Sequence, residues 1–219
     1  MSSLALMRLL ESAPLRYDAG MRLITLNRVT PLRAALAAAA VPRPGTRVLE
    51  IGCGTGALTA EMVARGAHVT AVDQNPAMLE QAHARLADAP AGVVTWREHT
   101  AAEIDALPAE SFDAVAASFC LSEMSGSERA FVLRHAARIL RPGGVLAVGD
   151  EVRPARAWER TLRAVVAAPQ HTLAWLIVGA TSRPIADLRG EVAAAGLAVR
   201  RERRWLAGTL ALLVAERLR

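Results

Sequence analysis

The sequence predicts an α/β domain in which a mostly parallel sheet is covered by helices on both faces. From about residue 47 onward, short apolar runs alternate with helix-patterned segments. The first of these runs leads straight into the glycine-rich turn Gly52-Cys53-Gly54-Thr55-Gly56. The chain of 219 residues suits one domain with a modest cover.

The elements follow in order. Residues 4–12 and 19–40 read as helices, the second Ala-rich and stopped by Pro42 and Pro44. Arg47–Ile51 is a short apolar strand, followed by the glycine turn and a helix from Ala57 to about Arg65. His68–Val72 is the next strand, and Asn75 caps a helix with Pro76 at its first position, where a missing N–H costs nothing. Val93–Trp96 and Asp113–Ser118 are further strands. Ser125 and Glu128 have capping-box spacing and open a helix to about Leu140, which Pro142-Gly143-Gly144 ends. Val145–Gly149 is the fifth strand. The segment 155–180 reads as helical and apolar with a break at Pro169, and Pro184 begins a helix to Ala195. Leu197–Arg203 and Thr209–Glu216 close the chain as two strands joined by a short turn, which suggests an antiparallel pair.

Composition narrows the function classes. Hydrophobic residues make up 53% but aromatics only 4%, so small side chains let helices approach the sheet closely. Leu173–Ala180 and Leu206–Ala215, the longest apolar stretches, fall short of the ~18 residues a spanning helix needs. Arg8 and Glu11 interrupt the start too early for a signal-peptide core, so a cytoplasmic protein is expected. All 26 basic residues are Arg, and the net charge is +5. They are dispersed apart from Arg200–Arg204, which reads as a solvated strand end rather than a nucleic-acid surface. Cys53 and Cys120 form no CxxC pair, and no metal site is expected.

The strongest chemical signal is Val48–Gly56, VLEIGCGTG. Glycines at 52, 54 and 56 let the backbone turn sharply after a strand and approach a ligand closely. Gly52-x-Gly54-x-x-Ala57 also fits the dinucleotide-binding pattern, and a plain tight turn fits as well. Val72-Asp73 ends the second strand about 20 residues on, where a carboxylate can accept hydrogen bonds from both ribose hydroxyls of a nucleoside. An Asp that merely caps the next helix is the alternative, but Asn75 already has that place.

With Glu50 two residues before Gly52, the E-x-G-x-G-x-G pattern resembles the S-adenosylmethionine (SAM)-dependent methyltransferases of class I. The resemblance covers nearly the whole chain. It implies a Rossmann-like seven-stranded sheet of order 3-2-1-4-5-7-6, the last strand antiparallel, with helices on both faces. It implies one domain over 1–219, with an N-terminal helical cover over 1–44 and a helical lid insertion over 155–182. It implies SAM as cofactor, with S-adenosylhomocysteine (SAH) as product. The glycines at 52, 54 and 56 would cradle its methionine portion, Glu50 would organise the amino end, and Asp73 would hold the ribose with Gln74 nearby. Met78 would pack on the adenine or serve as plain core. Ala101-Ala102 falls where the family carries an adenine-binding carboxylate, so Glu98, Glu103 or backbone groups would substitute. Phe112–Met124 (FDAVAASFCLSEM) matches the fourth strand, whose end, with Ser118, lies beside the reacting methyl group. Leu140–Gly144 (LRPGG) matches the turn into the fifth.

Three stretches resemble a narrower bacterial branch, the corrinoid-protein-associated methyltransferases: LMRLLESAPLRYDAGMRLITL at the start, SEMSGSER after the fourth strand and GDEVRP after the fifth. That resemblance implies a small-molecule acceptor or a corrinoid-protein partner. Tyr17-Asp18 resembles an N-terminal Tyr-Asp of related enzymes in which a helix lids the cofactor; a Tyr buried between two helices is the alternative. Glu123, Asp150 and Glu151 lie at or beyond strand ends, with Glu123 the candidate general base. His171 is a second catalytic candidate in the expected lid, with Trp158 and Trp175 as pocket walls. The expected function is therefore SAM-dependent methyl transfer. A SAM-binding regulatory subunit and a nicotinamide-dependent oxidoreductase are the alternatives, the latter lacking any Tyr-x-x-x-Lys pair because the chain has no Lys.

Overall fold

The structure, a computed structural model, describes residues 14–154 and 184–218. The helices expected over 4–12 and 155–180, with Trp158, His171 and Trp175, lie outside the described residues.

Strand β1 (Arg47–Ile51) lies at the centre, paired in parallel with β2 (His68–Asp73) on one side and β4 (Phe112–Ser118) on the other. β3 (Val94–Glu98) extends the sheet beyond β2, and β5 (Leu140–Glu151) lies beyond β4. β7 (Leu210–Arg217) pairs antiparallel with both β5 and the edge strand β6 (Leu197–Trp205). The order is 3-2-1-4-5-7-6, as the resemblance implies. The chain reverses its direction of travel across the sheet between β1 and β4, and a crevice opens there at the carboxyl ends of the strands.

Period-two alternation splits the core between the two faces. Val48, Ala114 and Ala116 pack with α2 (Val29–Ala40) and α3 (Ala57–Val63), whereas Leu49, Ile51 and Val115 pack with α5 (Gly126–Ile139) and α6 (Leu188–Ala194). The small residues matter here. A Cβ on Gly149 would stand 2.7 Å from a Leu36 methyl carbon, so glycine in β5 is what lets α2 seat. The β2–β3 crossover carries α4 (Pro76–Arg85), capped by Asn75 Oδ1 accepting the Ala77 N–H at 3.0 Å. The Ser125–Glu128 capping box at the start of α5 also forms.

The expected helix over 19–40 is instead two: α1 (Pro14–Ile24) and α2, separated by Leu26 and Asn27 at φ 48° and 60°. Thr25 accounts for the break. Its hydroxyl donates to the Met21 carbonyl at 2.7 Å and accepts the Val29 N–H at 3.1 Å, closing one helix and opening the next. The helix expected from Pro184 begins only at Leu188, capped by Asp187, which accepts the Gly190 N–H at 2.8 Å. The preceding main chain is taken up in a bridge between Ile185 and Val152. On β6, Arg200, Arg201, Arg203 and Arg204 are exposed; Arg200 pairs with Glu216, Arg204 with Glu202, and Arg203 stacks over Trp205. Among the described residues no helix is long and apolar enough to cross a membrane, and no His/Cys/Asp/Glu group is placed to hold a metal.

Candidate functional site

A cleft of about 690 Å³ opens at the carboxyl ends of β1, β2 and β4. Its walls bring together Tyr17, Gly52, Gly54, Asp73, Gln74, Met78, Ala101, Ala102, Ser118 and Glu123, residues that the sequence places in five separate stretches. His171 lies outside the described residues.

The glycine loop is fixed from the tip of β2. Asp73 Oδ2 accepts the Gly54 N–H at 2.7 Å, and Oδ1 accepts the Asn75 N–H at 2.9 Å. The carboxylate retains lone-pair capacity for a further donor. Burial raises the Asp73 pKa above the ordinary carboxylate value, against the backbone hydrogen bonds that favour the anion. Gly54 has φ 52°, and a Cβ built there would meet nothing within 4 Å, so the loop leaves open space on the cleft wall. Met78 is buried to 2% exposure at the start of α4 yet still lines the cleft, so it is core and wall at once.

Glu50 and Gly56 sit behind the wall rather than on it. The period of β1 turns Glu50 to the α2–α3 face, where it is 1% exposed and accepts the Thr59 hydroxyl at 2.6 Å. Burial pushes its pKa up to about 8, opposed by Thr59 and by the Arg33 charge. Gly56 abuts Ala82 of α4.

The edge formed by residues 99–102 carries no carboxylate. Glu103 turns back on its own helix start, where Oε2 accepts the Thr100 N–H at 2.7 Å and the Thr100 hydroxyl at 2.9 Å, and Glu98 is not on the wall. The groups presented there are His99, Thr100, Ala101 and Ala102.

The end of β4 has the most constrained geometry. Phe119 is 7% exposed at φ 57°, a left-handed conformation that costs a bulky residue energy and is sustained here by a Phe119 N–H bond to the Gly149 carbonyl at 2.9 Å. The turn Leu121–Glu123 that follows is held at both polarities. Asp150, fully buried, accepts the Leu121 and Ser122 N–H groups at Oδ2 (2.9 and 3.2 Å) and the Glu151 N–H at Oδ1 (2.7 Å). Burial pushes its pKa up to about 6. From α5, Arg129 donates to the Met124 carbonyl at 2.8 Å and lies bidentate on Glu191 of α6 at 2.6 and 2.9 Å. Together these place half-buried Glu123 on the cleft wall. The Ser118 hydroxyl oxygen, buried in the same wall, has no hydrogen-bond partner among the described residues, so it offers an unmet polar group to a ligand. The wall thus provides open backbone at Gly54, a carboxylate at Asp73, an apolar shelf at Met78 and an unmet hydroxyl at Ser118, which suits a nucleoside with a polar tail.

Sequence reasoning missed His99, Thr100, Phe119 and Cys120 on the wall and Arg129 behind it. Position after strands β3 and β4 could have flagged the first four; nothing in the sequence announces the left-handed Phe119.

Known proteins agree with this geometry. Residues 48–144 match the methyltransferase domain family. The ubiquinone biosynthesis O-methyltransferase of Hahella chejuensis is 37% identical over 131 residues, 59% of this chain and 53% of that protein. The ubiquinone/menaquinone biosynthesis C-methyltransferase of Vibrio cholerae is 38% identical over 117 residues, 51% of this chain and 44% of that protein. The matched segments thus span about half the length of these curated relatives. Among solved structures, 1,6-didemethyltoxoflavin-N1-methyltransferase of Burkholderia thailandensis, with SAH bound, aligns with TM-score 0.68 at 18% identity, covering 100% of this chain and 92% of that one. The [4+2]-cyclase SpnF aligns with TM-score 0.67 at 20% identity, covering 86% and 80%, so the fold by itself does not set the chemistry. Over residues 48–144 the chain thus resembles the methyltransferase domain family, on a sheet whose strand order is 3-2-1-4-5-7-6.

Proposed function

We propose that the protein transfers a methyl group from SAM to a small-molecule acceptor. The observation that carries this reading is the joining of Gly54 and Asp73 by a direct hydrogen bond on the wall of a cleft whose framework resembles a methyltransferase domain.

Asp73 would accept the ribose hydroxyls, Met78 would underlie the base, and the backbone at Gly52 and Gly54 would face the methionine portion. When bound, SAM supplies an electrophilic methyl group on a positively charged sulfur. The remaining work is positioning an acceptor in line and keeping water out, and orientation of that kind contributes roughly 7–11 kcal/mol in well-aligned cases. Glu123 is the candidate base for an acceptor that must lose a proton, because its turn presents it to the cleft beside Ser118. The N-terminal cover over 1–44 and the insertion over 155–182 would enclose the acceptor side, with His171 in the latter.

The relatives' role in ubiquinone biosynthesis makes a hydroxylated ring the first acceptor to try, and the SEMSGSER and GDEVRP stretches make a corrinoid protein the second. The test is a screen for labelled methyl transfer from SAM across both classes, alongside calorimetry with SAH and with NAD. Transfer to a small molecule is the expected result. SAH binding without transfer to any acceptor would favour a regulatory subunit, and binding of NAD in place of SAH would overturn the reading.

A further inference from the structure

The Asp18 carboxylate on α1 accepts hydrogen bonds from three separate elements. Arg33 of α2 donates to Oδ1 at 3.1 Å, while Oδ2 receives the Arg85 guanidinium of α4 and the Thr55 hydroxyl of the glycine loop, the last at 3.0 Å. Thr55 itself is 3% exposed and lies between Gly54 and Gly56. Tyr17, the residue before Asp18, lines the cleft, and Met21, one turn on, is buried in the core.

Tyr17 also packs against the core on this face. Among its described side chains Met21 is the one buried hydrophobic group, and Ala19, Arg22 and Leu23 are exposed. The polar contacts of Asp18 tie α1 to α2, α4 and the glycine loop at once. Those contacts converge on one carboxylate, held below its ordinary pKa because the two guanidiniums and the Thr55 hydroxyl outweigh the effect of burial.

We propose that Asp18 is a positioning residue for the cofactor: it seats α1 on the glycine loop, so that Tyr17 stands over the cleft and release of the bound cofactor requires breaking the Asp18 contacts. This rests on the SAM reading of the cleft. The bond to Thr55 is the part that a purely structural ion pair between helices would not need, since it reaches the loop that faces the ligand. Arg85 is about one-third exposed, so salt should weaken its share of the contact.

The test measures SAH dissociation from the full chain by displacement kinetics, in wild type, Asp18→Asn, Thr55→Val and Arg85→Gln, at low and high NaCl, with melting of each ligand-free protein alongside. The expected result is dissociation at least tenfold faster in Asp18→Asn, with smaller increases for the other two. Wild-type dissociation should quicken with salt, and that of Asp18→Asn should not. Should Asp18→Asn fail to fold, Arg85→Gln, altered at the exposed end of the network, carries the test, with dissociation more than twofold faster than wild type expected. Dissociation within twofold of wild type in every folded variant, even with lowered melting temperatures, would overturn the proposal by showing a merely structural role. Failure of wild type to bind SAH would overturn the cofactor reading and this proposal together, whereas tight binding with unchanged release overturns this one alone.

Discussion

Asp150 Oδ2 accepts the Leu121 N–H at 2.9 Å, tying the end of β5 to the turn that delivers Glu123. In Asp150→Asn an amide NH2 must face either the Leu121 and Ser122 donors or the Glu151 donor, so one buried set loses its acceptor. The expected cost is about 1–3 kcal/mol of stability. Methyl transfer should fall about tenfold or more as Glu123 drifts, while SAH affinity changes little. Parallel calorimetry and turnover measurements check this; equal losses in both would show that the turn serves the cofactor instead.

Replacing Asp73 by Ala removes the proposed ribose acceptor and frees the Gly54 N–H. Hydrogen bonds to a charged group are worth about 1.5–3 kcal/mol, so SAH should bind roughly ten- to a hundredfold more weakly. Unchanged affinity in a folded variant would place the ribose elsewhere.

Glu50 makes the protein's stability depend on pH. The folded chain holds the Glu50 proton to about pH 8, whereas an unfolded chain releases it near 4.5. Its protonated form therefore stabilises the fold fully below pH 4.5, and that contribution is lost as pH climbs toward 8. Asp150 acts in the same sense between 3.8 and about 6. Glu50→Gln should flatten the profile, gaining on wild type by at most about 5 kcal/mol at alkaline pH. Urea unfolding from pH 5 to 9 is the measurement, and a wild-type profile that rises across that range would contradict the assignment.

Gly54→Ala should separate binding from folding. The left-handed φ of 52° costs Ala roughly 1–2 kcal/mol, but no neighbour obstructs the new methyl group, which projects toward open space. The variant should fold and yet lose SAH affinity by more than its loss of stability. An affinity equal to wild type would mean that the ligand does not approach this point of the loop.

What the sequence made readable was local. Alternation in His68–Asp73, the cap at Asn75 and the glycines after Ile51 act within a few residues of one another, so they survive as pattern. The strand order followed from the resemblance rather than from any pattern. The features that were hidden depend on neighbours distant in the chain. Asp18 joins Arg33, Thr55 and Arg85; Arg129 joins Glu191; and the left-handed Phe119 is sustained by Gly149. The break at Leu26 and Asn27 was local but masked by helix-compatible residues on either side, and only the two bonds of Thr25 give it away. Likewise Glu50 carried the right residue type for the cofactor's amino end, while the period of β1 turns it behind the wall.

The open border of the sheet has a consequence of its own. Among the described residues β6 pairs on one side only, with β7, and an unpaired strand edge can accept another extended chain. With four arginines against the single Glu202, the strand stays net positive despite its ion pairs, so an incoming copy would bring like charge against it. Guanidinium keeps its proton at any pH the protein will meet, so this repulsion, unlike that of a lysine-guarded border, does not fade in alkali. Crowded growth conditions should therefore leave the molecule colloidally stable across the same pH range over which its buried acids weaken the fold.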